Sequence, residues 1–250
     1  MPRIFLSEYV HSYDTYTFGY TLYAERLNGE SLDMIWEQGF LTYTGKWRSE
    51  CSNMFYMTRS TRVDLSRFTP SSENRRIRRK LEQMSLTVTE YIAANFAEND
   101  AMMDFCLSNF KAAHAMPKER LKRVLLWAPE TKVIEYKDGE GNPRAYIIEI
   151  RGGYSSHHYY DFYDQSLGHL SFGAWLMLDR IEAAKARGET KYYLGTLYGE
   201  GALYKANYQP LEFWTGNKWS SDIVALKQLA RNDAHKVDGA LDLFKEGTDL

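Results

Sequence analysis

Cysteine is nearly absent: Cys51 and Cys106 are the only two in 250 residues. Two thiols cannot build a disulfide framework or a four-cysteine zinc site, so each reads as an isolated, buried or half-buried thiol. Long apolar runs are missing too. No stretch is long enough to span a bilayer, and the apolar part of the segment Met1 to Asp14 is too short for a signal peptide. The expectation is a cytosolic protein with no membrane partner. Strong charge bias is absent as well: 31 Lys+Arg against 33 Asp+Glu leave a formal net charge of −2, which excludes a generic polyanion binder. There are no internal repeats and no low-complexity linker. Neither a Ser-His-Asp set nor a reactive-cysteine arrangement is evident.

The composition that remains is globular, 44% hydrophobic and 26% charged, with 19 tyrosines and 6 tryptophans. These aromatic residues offer apolar area with a polar handle, useful in cores and in recognition alike. Charge is locally uneven: from Arg59 to Lys80, eight basic residues stand against Asp64 and Glu73. Such a patch can meet nucleic acid even on a slightly acidic protein.

Residues 1–30 predict one or two short strands. Glu30 to Phe40 predicts a short helix with Ser31 as N-cap and Gly39 as C-cap. Residues 41–68 carry strand character. Thr69 to Glu73 reads as a helix start, followed by a basic helix from Arg75 to Met84. Thr87 to Phe96, Ala101 to Ala113 and a segment begun by Pro117 read as helices. Lys132 to Tyr136 and Ala145 to Ile150 predict strands joined by a hairpin over Asp138 to Asn142. His157 to Phe162 predicts a strand, Phe172 to Ala186 a helix closed by Gly188, and Tyr192 to Leu197 and Leu211 to Thr215 further strands. Asp222 to Arg231 is a closing helix, with a loose end beyond it. The stretch Gly152 to Trp219 is thus a βαβ unit with polar aromatic groups at its strand ends, where open α/β sheets bind ligands. The element order from residue 117 suits an α/β (α+β) fold: a GNAT-like acyltransferase domain with a mixed, splayed sheet over residues 85–250. Residues 1–84 would form a smaller N-terminal α+β region carrying the basic helix.

Three patches give the chain a family resemblance. The first is Gly39-Phe40, then Arg67-Phe68-x-Pro70-Ser71-Ser72-x-Asn74 and the basic run to Lys80. The second is Ser155-Ser156 through Phe162-Tyr163-Asp164, then Leu170-Ser171-Phe172-Gly173. The third is Tyr192-Tyr193-Leu194-Gly195, then Tyr204-Lys205-Ala206-Asn207-Tyr208-Gln209-Pro210-Leu211-Glu212, with Gly216 and Trp219 beyond. Together, in order and at similar spacing, they resemble the arginyl-tRNA–protein transferases, which add an amino acid from tRNA to a protein N-terminus. The chain departs from that family in three places. It lacks the cysteine cluster before the basic helix, so a cluster-borne metal or redox cofactor is not expected. Gln165 stands where the family has proline, and Thr196 where it has an aromatic residue.

The resemblance implies aminoacyl-tRNA as co-substrate, no other cofactor, and acceptor proteins starting with Asp or Glu. An aminoacyl ester is already activated. The enzyme must bring an amine to the carbonyl and manage one proton, and orientation alone supplies about 7–11 kcal/mol of such a barrier. The expected catalytic residues are Tyr163, Asp164 and Lys205. Asp164 would take a proton from the attacking amine with Tyr163 positioning it, or else serve as a turn or cap residue. The Lys205 ammonium would bind the acidic acceptor side chain or the tRNA 3′ end, or else be a solvated lysine. Tyr198, Tyr204, Glu212 and Ser171 make up the expected substrate-binding set. Core packing competes for both tyrosines, and an ion pair with a neighbouring arginine is favoured over catalysis for Glu212. Arg75, Arg76, Arg78, Arg79 and Lys80 would contact tRNA phosphates, against the alternative of a solvated charged helix. His157, His158 and Asp161 carry metal-ligand side chains, but adjacent strand residues point to opposite faces, so no metal is expected.

An acyl-CoA N-acyltransferase of the same fold is the first alternative. Those enzymes cradle pyrophosphate on a Gly-rich turn at a helix N-terminus, whereas Gln165 to Leu170 puts leucine where a small residue is needed. The second is a non-catalytic relative that still grips tRNA or peptides. A third is transfer of the aminoacyl group to a small molecule.

Overall fold

The computed structural model describes residues 1–12, 17–44, 53–110 and 116–233. Cys51, the end of the expected Ala101 to Ala113 helix and the expected loose tail lie outside them. The N-terminal part contributes β1 (Arg3–Ser12), β2 (Thr17–Glu25), α1 (Leu32–Glu37), β3 (Phe40–Thr42), β4 (Met54–Met57), β5 (Ser60–Asp64) and α2 (Ser72–Leu81). The middle adds β6 (Thr87–Ile92), α3 (Asp100–Ser108), α4 (Lys118–Leu125), β7 (Thr131–Lys137) and β8 (Pro143–Arg151). The last part holds β9 (Ser155–Tyr163), α5 (Phe172–Ala186), β10 (Lys191–Thr196), β11 (Leu211–Trp214), β12 (Trp219–Ser220) and α6 (Ile223–Asn232).

Local chemistry sets many of these boundaries. Ser31 caps α1 by accepting from the Asp33 amide, and Gly39 follows it at φ 80°. Ser71 and Asn74 form a reciprocal capping box at the start of α2, which satisfies amide groups the helix leaves orphaned. The expected helix from Thr87 to Phe96 is a correction. Residues 87–92 form a strand paired with β7 from Thr87↔Lys137 to Ile92↔Lys132, and only Ala93–Phe96 turns as a 3-10 helix. The β-branched residues Thr87, Val88, Thr89 and Ile92 suit a pleated edge better than a helical turn.

Two sheets result: a four-stranded antiparallel one, ordered β1-β2-β4-β3, and an eight-stranded one, ordered β12-β11-β5-β10-β9-β8-β7-β6. β5 lies between β11 and β10, so a domain boundary at residue 84 would cut a central strand from its own sheet. The division into residues 1–84 and 85–250 is corrected accordingly. The large sheet is antiparallel except where β9 and β10 run parallel, joined by α5 as the βαβ reading expects. It is covered on both faces. Tyr192 packs towards α5 and α6 with Val63, Ile181, Leu211 and Leu226, while Tyr193 packs towards the smaller sheet with Trp36, Phe40, Phe55 and Trp127. Burial on both faces explains the high aromatic content of these strands.

Asp33 pins the turn before β9. It is buried, and its carboxylate accepts from Gly153 N at 2.7 Å, Tyr154 N at 3.3 Å and Ser155 Oγ at 2.5 Å. These bonds fix the start of β9 and hence which of its residues face which way.

Candidate active site

Two irregularities open the large sheet at its centre. β9 and β10 pair only from Lys191↔Ser155 to Tyr193↔His157. Beyond that point the β10–β5 register shifts between Tyr193 and Gly195, and the β8–β9 register shifts where Ile148 and Glu149 face Tyr160 and His158. Bulges of this kind bend strands and re-aim side chains. Here they splay β9 from β10.

Lys205 enters this gap from the 3-10 turn Glu200–Asn207. The residue as a whole is half-buried, but its ammonium lies between the strands and donates to Thr196 O at 2.6 Å. Gly195, at φ 82°, borders the gap in a conformation that favours glycine. A Cβ there would lie 3.6 Å from Lys205 Nζ and 3.9 Å from both His157 Nε2 and His158 O. Burial pushes the Lys205 ammonium down to about 8, against the pull of Asp161, which favours the charged form.

Asp161 is the residue that sequence reasoning missed as a reactive group. It makes no hydrogen bond or ion pair with any described residue. Its charge reaches Lys205, Tyr163, Tyr204 and His158. Tyr163 packs its ring on Gly173, where a Cβ would come within 2.9 Å of it. Burial, with Asp161 adding to it, raises the phenols of Tyr163 and Tyr204. Of the expected residues, the structure therefore gathers Lys205, Tyr163 and Tyr204 around the unexpected Asp161. A clue was available: Asp161 is a carboxylate inside an otherwise aromatic strand, where charge is costly unless used.

Asp164 lies one turn further on and takes the cap role. It accepts from Ser166 N at 3.0 Å, Ser166 Oγ at 2.6 Å and Arg144 at 2.9 Å. The Ser166 hydroxyl first, then its amide and Arg144, hold the carboxyl below its usual range against a burial effect of opposite sign. These three bonds are the cap contacts that the sequence offered as the alternative reading of Asp164.

The other expected residues are dispersed. Glu212 accepts from Arg62 Nε at 2.7 Å, the ion pair favoured from sequence. Arg62 also reaches Glu37 at 2.7 Å and lies 4.0 Å over the Trp219 ring. Tyr198 accepts from Arg59 N at 2.9 Å and Thr58 Oγ1 at 3.1 Å. Ser171 precedes α5 at φ 63° with no side-chain cap bond. The histidines face opposite ways: His157 packs edge-on to Trp36 on the smaller-sheet side, and His158 meets Tyr192 OH on the α5 side.

The basic run is not one surface. Arg59 and Arg62 are buried, and Arg59 pairs with Asp233 at 2.8 Å. On α2, Asn74, Ile77 and Leu81 face inwards, leaving Arg75, Arg76, Arg79 and Lys80 exposed. Arg75 donates to Pro70 O, Arg76 pairs with Glu73, and Arg78 pairs with Glu182 at 3.0 Å. Arg79 and Lys80 have no ion-pair partner among the described residues. In the turn Gln165–Leu170, Leu167 and Leu170 pack against the core formed with Phe172 and Leu176, so this turn offers no small-residue cradle for pyrophosphate. Among the described residues no helix is long and apolar enough to cross a membrane.

The described residues thus form a mixed α/β fold whose large sheet splays between β9 and β10, with the Lys205 ammonium in the gap. A family profile described as "Arginine-tRNA-protein transferase, C terminus" matches residues 88–215, about half of the chain, and the chain belongs to that family. It is 28% identical over 225 residues to an aspartate/glutamate leucyltransferase from Dinoroseobacter shibae, covering 79% of this chain and 73% of that protein. A protein of the same name from Saccharophagus degradans is 27% identical over 169 residues, 63% of this chain and 69% of that one. One from Paramagnetospirillum magneticum is 34% identical over 92 residues, and there the match spans only 38% of the relative's length. Among solved structures, FemX aligns with a TM-score of 0.44 and 9% identity over 70% of this chain and 63% of that one. A fungal GCN5-related glucosamine N-acetyltransferase region aligns with 0.44 and 14% over 62% and 19%.

Proposed function

We propose that the protein transfers an aminoacyl group, leucyl or arginyl, from tRNA to the N-terminal amine of an acceptor protein beginning with Asp or Glu. The observation that carries this reading, beside family membership, is Lys205 in the splay within reach of the charge of Asp161. An N-terminal Asp or Glu presents an amine and a carboxylate a few bonds apart. Lys205 is a cation for that carboxylate, and Asp161, with no side-chain hydrogen bond or ion pair among the described residues, is an acceptor for the amine. Charge-assisted hydrogen bonds of this kind are about twice as strong as neutral ones. The neutral amine attacks the ester carbonyl, the N–C bond forms and the C–O3′ bond breaks. The proton shed by nitrogen passes to Asp161 and returns to the 3′-oxygen. Tyr163 and Tyr204 bound the acceptor's side of the gap. Aminoacyl-tRNA is the co-substrate and no further cofactor is invoked.

The direct test supplies purified protein with leucyl-tRNA or arginyl-tRNA and peptides differing only in the first residue. Labelling of Asp- and Glu-initiated peptides is expected, at about tenfold or more above Asn- and Gln-initiated ones, since charged hydrogen bonds drive the choice. No labelling from either tRNA would refute the reading. CoA binding by calorimetry would favour the acyl-CoA alternative instead, and tight tRNA binding without transfer the non-catalytic one.

The exposed face of α2 supplies a second measurable consequence. If Arg79 and Lys80 meet tRNA phosphates, reversing both charges weakens tRNA binding most at low salt. The slope of log K against log salt then becomes shallower by about 1.8, from roughly 0.9 per phosphate contact. An unchanged slope removes this helix from the interface.

A further inference from the structure

Tyr198 reverses the usual arrangement of a surface tyrosine. It is 44% exposed, yet its hydroxyl does not turn to water. The hydroxyl accepts from Arg59 N at 2.9 Å and from Thr58 Oγ1 at 3.1 Å. A tyrosine at a surface ordinarily keeps its polar tip wet and its apolar body covered. The Arg59 guanidinium lies 4.8 Å from the ring centroid and covers one face. That guanidinium is itself held by Asp233, donating to Oδ1 and Oδ2 at 3.0 and 2.8 Å. The backbone on either side is tied to the same pair. Leu197 N donates to Arg59 O at 3.0 Å, and Gly199 N to Asp233 Oδ2 at 2.6 Å. The ring is thus fixed at its tip, at one face and at both chain neighbours. No second ring or guanidinium lies on its other face among the described residues. The space beside it is open: nothing lies within 4 Å of the position a Cβ would take on Gly199 or Gly201.

Chain geometry puts this ring next to the candidate site. Thr196 O accepts from Lys205 Nζ at 2.6 Å. Tyr198 follows Thr196 by two residues, so their Cα atoms are at most about 7 Å apart. The hydroxyl reaches Thr58 and Arg59, just ahead of β5, and β5 and β9 flank β10 on opposite sides. Tyr198 therefore lies on the β5 flank of the ammonium, while Asp161 and Tyr163 belong to β9. The acceptor groups occupy one flank, and the other is left to the donor.

We infer that the open face of Tyr198 is the platform on which the terminal base of aminoacyl-tRNA stacks. This rests on the transfer reading. One sugar separates the 3′-ester from that base, so a base seated beside β10 delivers the ester carbonyl to the gap. Every tRNA ends in adenosine, and an aromatic ring holds a base by its π-face without reading its edge. The contact therefore places the ester whichever amino acid it carries. A ring fixed beforehand loses little freedom when the base arrives, which is the advantage of a preorganised surface.

The test measures binding of the full chain to two probes: intact deacylated leucine tRNA, and the same tRNA with the base removed from its last nucleotide. The wild type should bind the intact form about tenfold to hundredfold more tightly, the range one stacked ring supplies. Tyr198→Leu should lose that preference while binding the abasic form as the wild type does. Tyr198→Trp, which keeps an aromatic surface, should retain the preference. A tyrosine with only a structural role would weaken both forms equally when replaced by leucine, and that result overturns the inference. So does a preference that survives in Tyr198→Leu, including one accompanied by a raised KM for the peptide, which would move the ring to the acceptor's side. A wild type that binds both forms equally overturns it even if no variant folds. Failure of the transfer reading looks different: no labelling of any peptide by the wild type from either charged tRNA.

Discussion

Lys205→Met is expected to be nearly inactive in transfer and more heat-stable than the wild type. Both effects follow from one observation, an ammonium held inside the β9–β10 gap with a single hydrogen-bond partner among the described residues, Thr196 O. Without it the acceptor carboxylate meets no cation, and a loss of about 10²–10³ in kcat/KM is expected for removing a charged group that binds and orients the reacting partner. Burial disfavours the charged form, so the folded state holds its proton less tightly than the unfolded chain does. The sign follows by linkage. Between about 8 and the model-peptide value of about 10.4, the unfolded state binds more protons, so wild-type stability rises with pH in that window and is lower throughout the range below it. A neutral methionine escapes that penalty and forfeits only one hydrogen bond, worth about 1 kcal/mol.

The wild-type pH profile gives a second handle. The acceptor amine must be neutral, and a free α-amine loses its proton near 7.7–8.0, which sets a rising limb. Lys205 must be charged, and burial sets its loss at about 8, which gives a falling limb. kcat/KM should therefore peak close to pH 8. Lys205→Arg should retain part of the activity and lose the falling limb, because a guanidinium stays protonated. A melting temperature that drops together with activity in Lys205→Met would mean the lysine is structural.

Much of the fold is legible in the sequence, because local signals decide it. The helix Phe172–Ala186 is found where its residues predict it, and the turn at Asp138 to Asn142 joins β7 and β8 as a hairpin. What escapes is set by contacts distant in the chain. Nothing near residue 60 announces that β5 will lie between β10 and β11, more than 120 residues away. The same insertion buries Arg59 and Arg62 and breaks up what reads as one basic run. The site is legible to within a few residues and no better. Asp161 and Asp164 are both plausible bases in a run of aromatic residues. Which one faces the gap depends on a bulge near Tyr159 and on the strand ending at Tyr163. With a period of two, a one-residue shift exchanges the faces, and no local pattern shows the bulge.

Gly39→Ala should be the most damaging single methyl addition among the described glycines. Gly39 follows α1 at φ 80°, a region that costs an L-residue about 1–2 kcal/mol. The added Cβ would also overlap Cδ2, Cε2 and Nε1 of the Trp214 indole, well inside van der Waals contact. Trp214 cannot swing aside alone. It packs on Trp219 at 5.4 Å, and Trp219 in turn donates to Glu37 O at 2.9 Å and covers the Arg62 guanidinium. Overpacking of this kind costs about 1–3 kcal/mol, so about 3–4 kcal/mol is expected in all. At roughly 2–4 °C per kcal/mol for a chain of this size, that lowers Tm by about 10 °C. Gly141→Ala is the control. Its φ is 84° and nothing lies within 4 Å of its added Cβ, so it isolates the backbone cost at a drop of about 3 °C. Trp214→Leu in the Gly39→Ala background should recover the difference between the two, because it removes the ring the methyl group strikes. Equal losses in Gly39→Ala and Gly141→Ala would show that the Trp214 contact does not constrain the site, and that the β11–β12 hairpin can move without disturbing Arg62.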